Sequence, residues 1–525
     1  MRKRTAITVG TVLALALSAC TPVQQVQSDS ASLAGEALVE QAPAGFEQYY
    51  GQEIDFQPCD ADQVTLPRMS PPKALNRYRC ATVTAPMNWD DPDSAPIELA
   101  MAIYGTNDNQ PNLFFNLGGP GGDAVQSLSS FVELMVPAPV VDNYQIVAVD
   151  PRGVGASSPV SCWDDEGRDQ FLADSDDPRD LPLDELVATA HQETADLYAQ
   201  CLERTGELLN YVDTDSAARD FDMIRAALGI EQLDYLGYSY GTQLGATYAD
   251  LFPARVGRFV LDSAVDPALG INEVASLQAG GMEESLAHWI EVCQQDDDCP
   301  VTGGVAGGQE QLAEFLDSLK ADPLPTDSPD RPLTAALGRT GIIGSLYSPE
   351  SYPLLKVALQ LAFQGDGSML LLLADFYNGR EDDGSYNNSQ DAFLAVNGLD
   401  YAPEGTPEEW QAEAERLAED YPVLGSSFGY ASAGMDAWTA TPRVRSGPVR
   451  AEGSAPILVI GTTHDPATPY VMAEGLVEQL ANAVLLTYDG WGHGAYQQGG
   501  SECVLTAVNQ YLLQGQLPPD GTVCQ

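Results

Sequence analysis

The chain has 525 residues, 44% of them hydrophobic, and a formal net charge of −52 at pH 7. This length exceeds one ordinary hydrophobic core, since compact units usually contain about 100 to 200 residues. The charge argues against binding to nucleic acid or to anionic headgroups, because both need clusters of Lys and Arg. An acidic surface favours solubility, and it raises the local concentration of cationic ligands such as peptides with free amino ends.

Residues 1–20 have the pattern of an export signal. Basic MRKR precedes the uncharged apolar run TAITVGTVLALA, and small residues then lead to Cys20 in LSAC. LSAC resembles the bacterial lipobox, which implies a lipid on Cys20; an ordinary signal cut nearby is the alternative. Residues 21–45 would then form a polar tether.

These features predict an exported protein, either a lipoprotein on the outer face of the cytoplasmic membrane or a secreted one. No later segment has about 18 consecutive apolar residues, so we expect no transmembrane helix. Contact with the membrane is therefore expected only through a lipid anchor.

The cysteines fit an oxidising compartment. Apart from Cys20 there are eight, an even number, and disulfides are expected in an exported chain. No Cys-x-x-Cys spacing or histidine cluster indicates a zinc site. We expect neighbours in the chain to pair: Cys59 with Cys80, Cys162 with Cys201, Cys293 with Cys299, and Cys503 with Cys524.

From Asn112 onward, short apolar runs alternate with helical patterns. NLFFNL ends in GGPGG and YQIVAVD ends in PRGVG, as buried strands do at glycine-rich turns. Helical spacing follows at 184–206 and 216–229, and then come the strand LDYLGYS, a helix, and the strand in RVGRFVLDSAVDP. This alternation predicts a mostly parallel sheet flanked by helices, with active groups at the carboxyl ends of its strands.

The alternation stops after residue 266 and resumes near residue 451. Residues 267–450 contain helix-like stretches separated by loops, which we interpret as a mainly helical cap inserted between the core segments 46–266 and 451–525. Within the cap, GGVAGG at Gly303 to Gly308 lacks the Lys-Ser/Thr of a phosphate loop and is expected to be a flexible loop.

The sequence GYSYG, from Gly237 to Gly241, lies between a predicted strand and a predicted helix. A serine hydroxyl at such a turn becomes a nucleophile only when a base removes its proton. Among the four histidines, His493 is preferred, because it follows a buried strand at the sheet edge where GYSYG ends. His191 and His288 lie in helical patterns and favour structural roles.

The third member of a catalytic triad is a carboxylate that orients the base. His464 competes as the base, but its neighbour Asp465, after the strand ILVIG, is the preferred carboxylate. Asp489 and Asp262 are weaker alternatives to Asp465. The resulting order, Ser then Asp then His, is that of α/β-hydrolases.

Acyl transfer also needs two donors for the oxyanion. One is expected to be the backbone N–H of Tyr240, which follows the nucleophile. The other is expected from the glycine-rich turn NLGGPGG, with Gly119 preferred and Gly118 second.

The chain resembles the secreted tripeptidyl aminopeptidases of actinobacteria, within the prolyl-aminopeptidase group of α/β-hydrolases. The resemblance rests on NLGGPGG, VAVDPRGVGASSPVSC, LDYLGYSYGTQLGATYADLF, ILVIGTTHDPATPY, GWGHG and QYLLQGQLPPDGTVC, and it is loose across the cap. It implies an α/β-hydrolase fold and removal of short peptides, typically tripeptides, from a free amino terminus, through an acyl-enzyme and without a metal or organic cofactor.

Two departures from the family are visible. Asp123 in GGPGGDA replaces a residue that is commonly serine, which puts a carboxylate near the oxyanion hole and would disfavour acidic substrates. Gly398 and Met435 stand where the family often has a pair of cysteines, so the cap is expected to be looser.

An aminopeptidase needs a carboxylate that holds the substrate ammonium. Glu283, Glu284 and Asp400 in the cap are candidates, although each is more typical of a solvated surface acid than of such an anchor. The first alternative function is an exported carboxylesterase or lipase with the same triad. The second is a lipoprotein that only binds ligands or partners with its cap.

Overall fold

The computed structural model describes residues 42–66, 72–107, 109–173, 181–440 and 448–525. Cys20, the export signal and most of the tether lie outside these residues. In the part described, ten strands form one mixed sheet in the order β1-β2-β3-β5-β4-β6-β7-β8-β9-β10. The neighbours from β5 to β10 in this order are parallel, and β1, β2, β3 and β5 pair antiparallel. The strands are β1 (Gln57–Pro58), β2 (Tyr78–Pro86), β3 (Pro96–Tyr104), β4 (Asn112–Asn116), β5 (Gln145–Val149), β6 (Leu233–Tyr238), β7 (Val256–Asp262), β8 (Ile457–His464), β9 (Ala483–Trp491) and β10 (Thr522–Cys524).

Helices cover both faces of the sheet, so its central strands are apolar at consecutive positions. Phe114 of β4 and Val147 of β5 enter one hydrophobic cluster, whereas Phe115 and Ile146 enter the cluster on the opposite face. This alternation follows from the two-residue period of a strand. The predicted α/β fold class is confirmed.

The helices of the two core segments flank the sheet. They are α1 (Glu47–Tyr50), α2 (Ala124–Ser130), α3 (Ala138–Val141), α4 (Asp165–Ala173), α5 (Leu183–Thr205), α6 (Thr214–Ala227), α7 (Tyr240–Leu251), α15 (Tyr470–Gln479) and α16 (Glu502–Gln514).

Between β7 and β8 the described chain contains helices and no strand of the sheet. They are α8 (Ile271–Cys293), α9 (Gly304–Ala321), α10 (Ala335–Leu346), α11 (Tyr352–Ala362), α12 (Ser368–Tyr377), α13 (Ser389–Asp400) and α14 (Pro407–Asp420). Helices α8 to α12 share a third hydrophobic cluster, with Trp289, Leu316 and Leu370 among its buried members. We call this region, 267–450, the cap.

The prediction of a flexible loop at Gly303 to Gly308 is wrong. Helix α9 begins at Gly304, and Gly303 precedes it with a φ of 89°. A Cβ on Gly308 would lie 2.7 Å from Cγ2 of Ile290, so this glycine permits close packing of α9 on α8. Gly308, which the sequence analysis placed in a loop, therefore lies at a contact between two helices.

Disulfides join the four pairs that the spacing favours: Cys59–Cys80, Cys162–Cys201, Cys293–Cys299 and Cys503–Cys524. At Gly398 the indole of Trp438 occupies the space beside the backbone, and a Cβ there would lie 2.8 Å from its Nε1. Packing against Trp438 thus fills the position where the family often has a cysteine.

Candidate active site

Ser239 lies on a sharp turn between β6, which ends directly before it, and α7, which begins directly after it. Its φ is 55° and its ψ −128°, a conformation that costs a non-glycine residue about 1–3 kcal/mol. The turn is tight enough to require glycine on both sides. A Cβ on Gly237 would lie 2.4 Å from the carbonyl oxygen of Gly241, and a Cβ on Gly241 would lie 2.6 Å from that of Asn116.

His493 follows β9 and is paired with Asp465, which follows the adjacent strand β8. The imidazole Nδ1 lies 2.8 Å and 3.0 Å from the two carboxylate oxygens. Asp465 is buried, and its Oδ1 accepts hydrogen bonds from the backbone N–H groups of Ala467 and Thr468, each at 2.9 Å. The Thr468 hydroxyl donates to Oδ2 at 3.1 Å. The carboxylate is therefore fixed before any substrate arrives.

The cap also holds His493, through Tyr347 just after α10. The backbone N–H of His493 donates to the Tyr347 carbonyl at 2.8 Å, and the two rings meet edge-on with centroids 5.4 Å apart. The Tyr347 hydroxyl lies 3.2 Å from that of Tyr377 on α12. Sequence reasoning missed this contact, and no local pattern around Tyr347 signals it.

Charge and burial act in opposite directions on the pKa of His493. Burial disfavours the imidazolium, but the charge and hydrogen bond of Asp465, together with the charge of Asp262, outweigh it. The net effect raises the pKa of His493 above its ordinary value of 6.5.

Asp262 links the serine turn to the histidine loop. Its carbonyl accepts the N–H of Ser239 at 3.1 Å, while its carboxylate accepts the N–H groups of Ala495 at 2.9 Å and Tyr496 at 2.7 Å. Burial raises the pKa of Asp262 to about 6. Its carboxylate thus holds the backbone that follows His493, and the imidazole is hydrogen-bonded to a different carboxylate.

The histidine loop and the serine meet at the same edge of the sheet. Within the described residues, Ser239 Oγ makes no hydrogen bond to His493. Such a contact is often long in unliganded enzymes and tightens when substrate binds.

The glycine-rich turn after β4 lies directly against the serine turn. A Cβ on Gly118 would lie 2.9 Å from the Cβ of Ser239 and 3.1 Å from the backbone nitrogen of Tyr240. The N–H of Gly118 donates to Oδ1 of Asn116 at 2.9 Å, whereas that of Gly119 has no partner in the described part of the chain. This difference favours Gly119 over Gly118 as a donor to a substrate oxyanion.

The other histidines are not hydrogen-bonded to the proposed triad. His288 and His464 stack on opposite sides of the same residue, Trp491, with ring centroids 3.7 Å and 4.1 Å from the indole. His464 Nδ1 lies 2.9 Å from Oε1 of Glu284 on α8, so this group joins the cap to the core. His191 is exposed on α5.

The two other cap carboxylates are also engaged by the protein. Glu283 is buried and accepts from the N–H of Leu424 at 3.0 Å and from Nε2 of Gln309 at 2.8 Å. Asp400 accepts from the N–H of Thr214 at 3.0 Å and from its hydroxyl at 2.5 Å. Glu283 thus stabilises the cap, whereas Asp400 connects the cap to α6.

Asp489 and Asp123 have hydrogen-bond partners other than His493. Asp489 is exposed, with Oδ1 3.4 Å from the Thr463 hydroxyl. Asp123 is partly buried ahead of α2 and accepts from the Ser127 hydroxyl at 3.3 Å. Burial raises the pKa of the Asp123 carboxyl.

Two structural findings bear on membranes and metals. Among the residues described, no helix is long and apolar enough to cross a membrane. The same residues contain no group of three or more His, Cys, Asp or Glu side chains that could hold a metal ion.

The chain is similar to several known hydrolases and peptidases. The serine protease Hip1 of Mycobacterium tuberculosis is 34% identical over 495 residues, which cover 90% of this chain and 91% of that protein. Carboxylesterase B of the same organism is 36% identical over 461 residues, 86% of this chain and 87% of its own. The tripeptidyl aminopeptidase of Streptomyces lividans is 29% identical over 486 residues, 90% and 86% of the two chains. Residues 111–499 match the model of the alpha/beta hydrolase fold family, and the chain belongs to that family.

Proposed function

We propose that the protein is an exported serine aminopeptidase that releases short peptides, chiefly tripeptides, from free amino termini. The observation that carries the proposal is that Ser239, on a strand–helix turn at positive φ, and the hydrogen-bonded pair His493 and Asp465 all follow the carboxyl ends of parallel strands. Similarity to a serine protease and to a tripeptidyl aminopeptidase supports a peptide substrate.

In the proposed reaction Ser239 Oγ attacks the scissile carbonyl while His493 Nε2 takes its proton. Asp465 holds the imidazole through Nδ1 and stabilises the imidazolium. The N–H groups of Tyr240 and Gly119 bind the oxyanion, a contribution that is typically about 3–4 kcal/mol for one donor.

The imidazolium then protonates the leaving amine, and the N-terminal peptide remains as an ester on the serine. Water, deprotonated by His493, attacks this ester, and the bond between the acyl carbon and Ser239 Oγ breaks. His493 returns its proton to Oγ, which restores the free serine, and the acyl group leaves as a carboxylic acid that ionises in water.

Selectivity for a free amino end requires a carboxylate that faces the substrate. Of the three cap candidates we favour Glu284, because it is about half exposed and contacts His464, which stacks on Trp491 two residues before His493. Glu283 is a poorer candidate, since backbone and amide donors already engage its carboxylate.

A carboxylesterase is the second candidate function, and similarity to Carboxylesterase B favours it. Both functions would use the same triad. They differ in the leaving group and in whether the substrate needs an ammonium.

Hydrolysis of a tripeptide anilide, with its amino end free and then acetylated, separates these functions. The soluble part of the protein should cleave the free amine far faster than the acetylated form, and Ser239→Ala should abolish cleavage. Equal cleavage of both forms, or cleavage of esters alone, would leave the triad in place and overturn the aminopeptidase assignment.

We also propose that a lipid on Cys20 anchors the protein to the outer face of the cytoplasmic membrane. Labelling of cells with a palmitate analogue should mark the full-length protein and not its Cys20→Ser variant. Label on both proteins, or on neither, would contradict this anchor.

A further inference from the structure

Residues 151–160, which follow β5 and begin with PRGVG, form a loop that contributes no residue to the proposed triad or oxyanion hole. The cap binds this loop through Asn388, directly before α13. Its Oδ1 accepts the N–H of Gly155 at 2.9 Å, and its Nδ2 donates to the carbonyl oxygens of Gly153 at 2.8 Å and Val160 at 3.0 Å. One side chain thus joins the start of α13 to the core by three hydrogen bonds.

Asn388 occupies the position that normally caps a helix. There an Asn side chain usually accepts a hydrogen bond from an N–H group of the first helical turn. The Asn388 side chain makes no such bond to any described residue of α13, and the N–H of Ser389 donates to Oδ1 of Asn387 at 3.1 Å. The carboxamide of Asn388 therefore serves the contact with the core rather than its own helix.

The residue after Asn388 lies against the glycine-rich turn that contains Gly119. A Cβ on Gly121 would lie 2.3 Å from the carbonyl oxygen of Ser389, so the two backbones touch without a side chain between them. Within the turn, a Cβ on Gly119 would lie 2.9 Å from the backbone nitrogen of Gly121. A shift of Ser389 away from Gly121 would therefore loosen the part of the turn that carries the N–H of Gly119.

The loop also reaches the turn through the buried carboxylate of Asp150, directly after β5. Its Oδ2 accepts the N–H of Ala156 at 3.0 Å, and its Oδ1 accepts the N–H groups of Ala124 at 2.8 Å and Val125 at 2.9 Å. Ala124 begins α2, two residues after the turn ends at Gly122. The loop that Asn388 binds is therefore also fixed to the chain that leaves the turn.

We propose that Asn388 is a positioning residue of the oxyanion hole. By binding the loop it holds Ser389 against Gly121, and it thereby keeps the N–H of Gly119 in place for the oxyanion. Preorganised donors stabilise an oxyanion well because they need no rearrangement during the reaction. The inference rests on the proposed acyl transfer at Ser239 and adds a residue of the cap to it.

Hydrolysis of p-nitrophenyl acetate tests the inference, because the small acetyl group needs no binding contacts with the cap. Asn388→Asp keeps the shape of the side chain and its bond from the N–H of Gly155, but it places a carboxylate oxygen opposite two carbonyl oxygens. It should lower kcat about tenfold per active site and leave KM nearly unchanged, since acylation and deacylation both pass through an oxyanion. Active sites are counted by labelling with a fluorophosphonate probe.

A transition-state analogue gives a second readout, which a purely structural role of Asn388 would not change. Ser239 Oγ adds to the carbonyl carbon of phenyl trifluoromethyl ketone, its proton passes to His493, and the hemiketal oxyanion occupies the hole. The inhibition constant of this ketone should rise about tenfold in Asn388→Asp. A loss of stability alone would reduce the number of active sites and leave the constant unchanged.

Two further variants complete the test. Asn388→Ser should show the same losses and replaces Asn388→Asp if that variant fails to fold, because serine can cap α13 but is too short to make the three bonds to the loop. Asn397→Asp is the matched control, since it adds the same charge on the same helix and, within the described chain, the Asn397 side chain makes no hydrogen bond to the loop. It should leave kcat and the inhibition constant unchanged.

The inference fails if a folded Asn388 variant keeps the kcat and the inhibition constant of the wild type, or if Asn397→Asp loses as much. In both cases the wild type hydrolyses the ester and Ser239→Ala does not, so the proposed function stands. Absence of hydrolysis by the wild type, or equal hydrolysis by Ser239→Ala, would instead overturn the proposed function and this inference with it.

Discussion

Core and cap hold their candidate functional carboxylates in different ways. In the core, Asp465 and Asp262 are fixed by backbone N–H groups of loops that follow neighbouring strands. In the cap, Glu284 and Asp400 reach across the boundary to a histidine and a threonine of the core. Core chemistry therefore depends on strand topology, whereas cap chemistry depends on contacts between segments far apart in the chain.

The largest effect is expected from a substitution that removes the carboxylate of the core. Asp465→Asn should lower kcat by about 10⁴-fold, because the amide stabilises the wrong imidazole tautomer. Steady-state kinetics on a tripeptide anilide measures it, with circular dichroism to check folding. Asp489→Asn is the control, since Asp489 is exposed and does not contact the imidazole; a comparable loss in that variant would identify the wrong orienting group.

A cap residue that touches the base should have a smaller effect. Tyr347→Ala should lower kcat about 10- to 100-fold, because the imidazole loses the ring that packs against it. Tyr347→Phe retains the ring and the carbonyl acceptor and loses only the contact with Tyr377, so its kcat should stay close to that of the wild type. Equal losses in both variants would contradict support by ring packing.

The proposed ammonium anchor should affect substrate binding more than chemistry. Glu284→Gln should raise KM about tenfold for a free-amine peptide and leave a p-nitrophenyl ester unaffected, because only the peptide carries an ammonium. Glu291→Gln, an exposed acid on the same helix, controls for charge. An equal rise for both substrates would indicate a structural role for Glu284.

The smallest change is a displacement of the pH profile. Catalysis requires neutral His493, so kcat/KM should fall as pH decreases through its raised pKa, and the acid limb should lie above pH 6.5. Asp262→Asn removes a charge that favours the imidazolium and should move this limb to lower pH. An unmoved limb in a folded variant would show that another group controls it.

The difference between core and cap also explains which elements could be predicted from the sequence. Strands β4 to β9, the serine turn and the positions of Asp465 and His493 follow from local patterns at strand ends, whereas β1 and β10 were not predicted. Strands β2 and β3 were not predicted, although PIEL at the start of β3 alternates between exposed and buried residues.

In the cap, helix α10 was not predicted because three glycines interrupt its pattern. Gly341 is one of them, and a Cβ there would lie 2.5 Å from the carbonyl of Leu370 on α12. These glycines permit close helix packing. The contact between Tyr347 and His493 was beyond prediction for a related reason, since it depends on how the cap lies on the core.

Active-site labelling shows directly whether Ser239 is the nucleophile. The soluble protein is treated with a fluorophosphonate probe, and the modified residue is mapped by mass spectrometry. We expect one adduct per chain on Ser239, absent in Ser239→Ala and formed much more slowly in His493→Ala. An unlabelled protein, or an adduct on a different serine, would contradict the proposed active site.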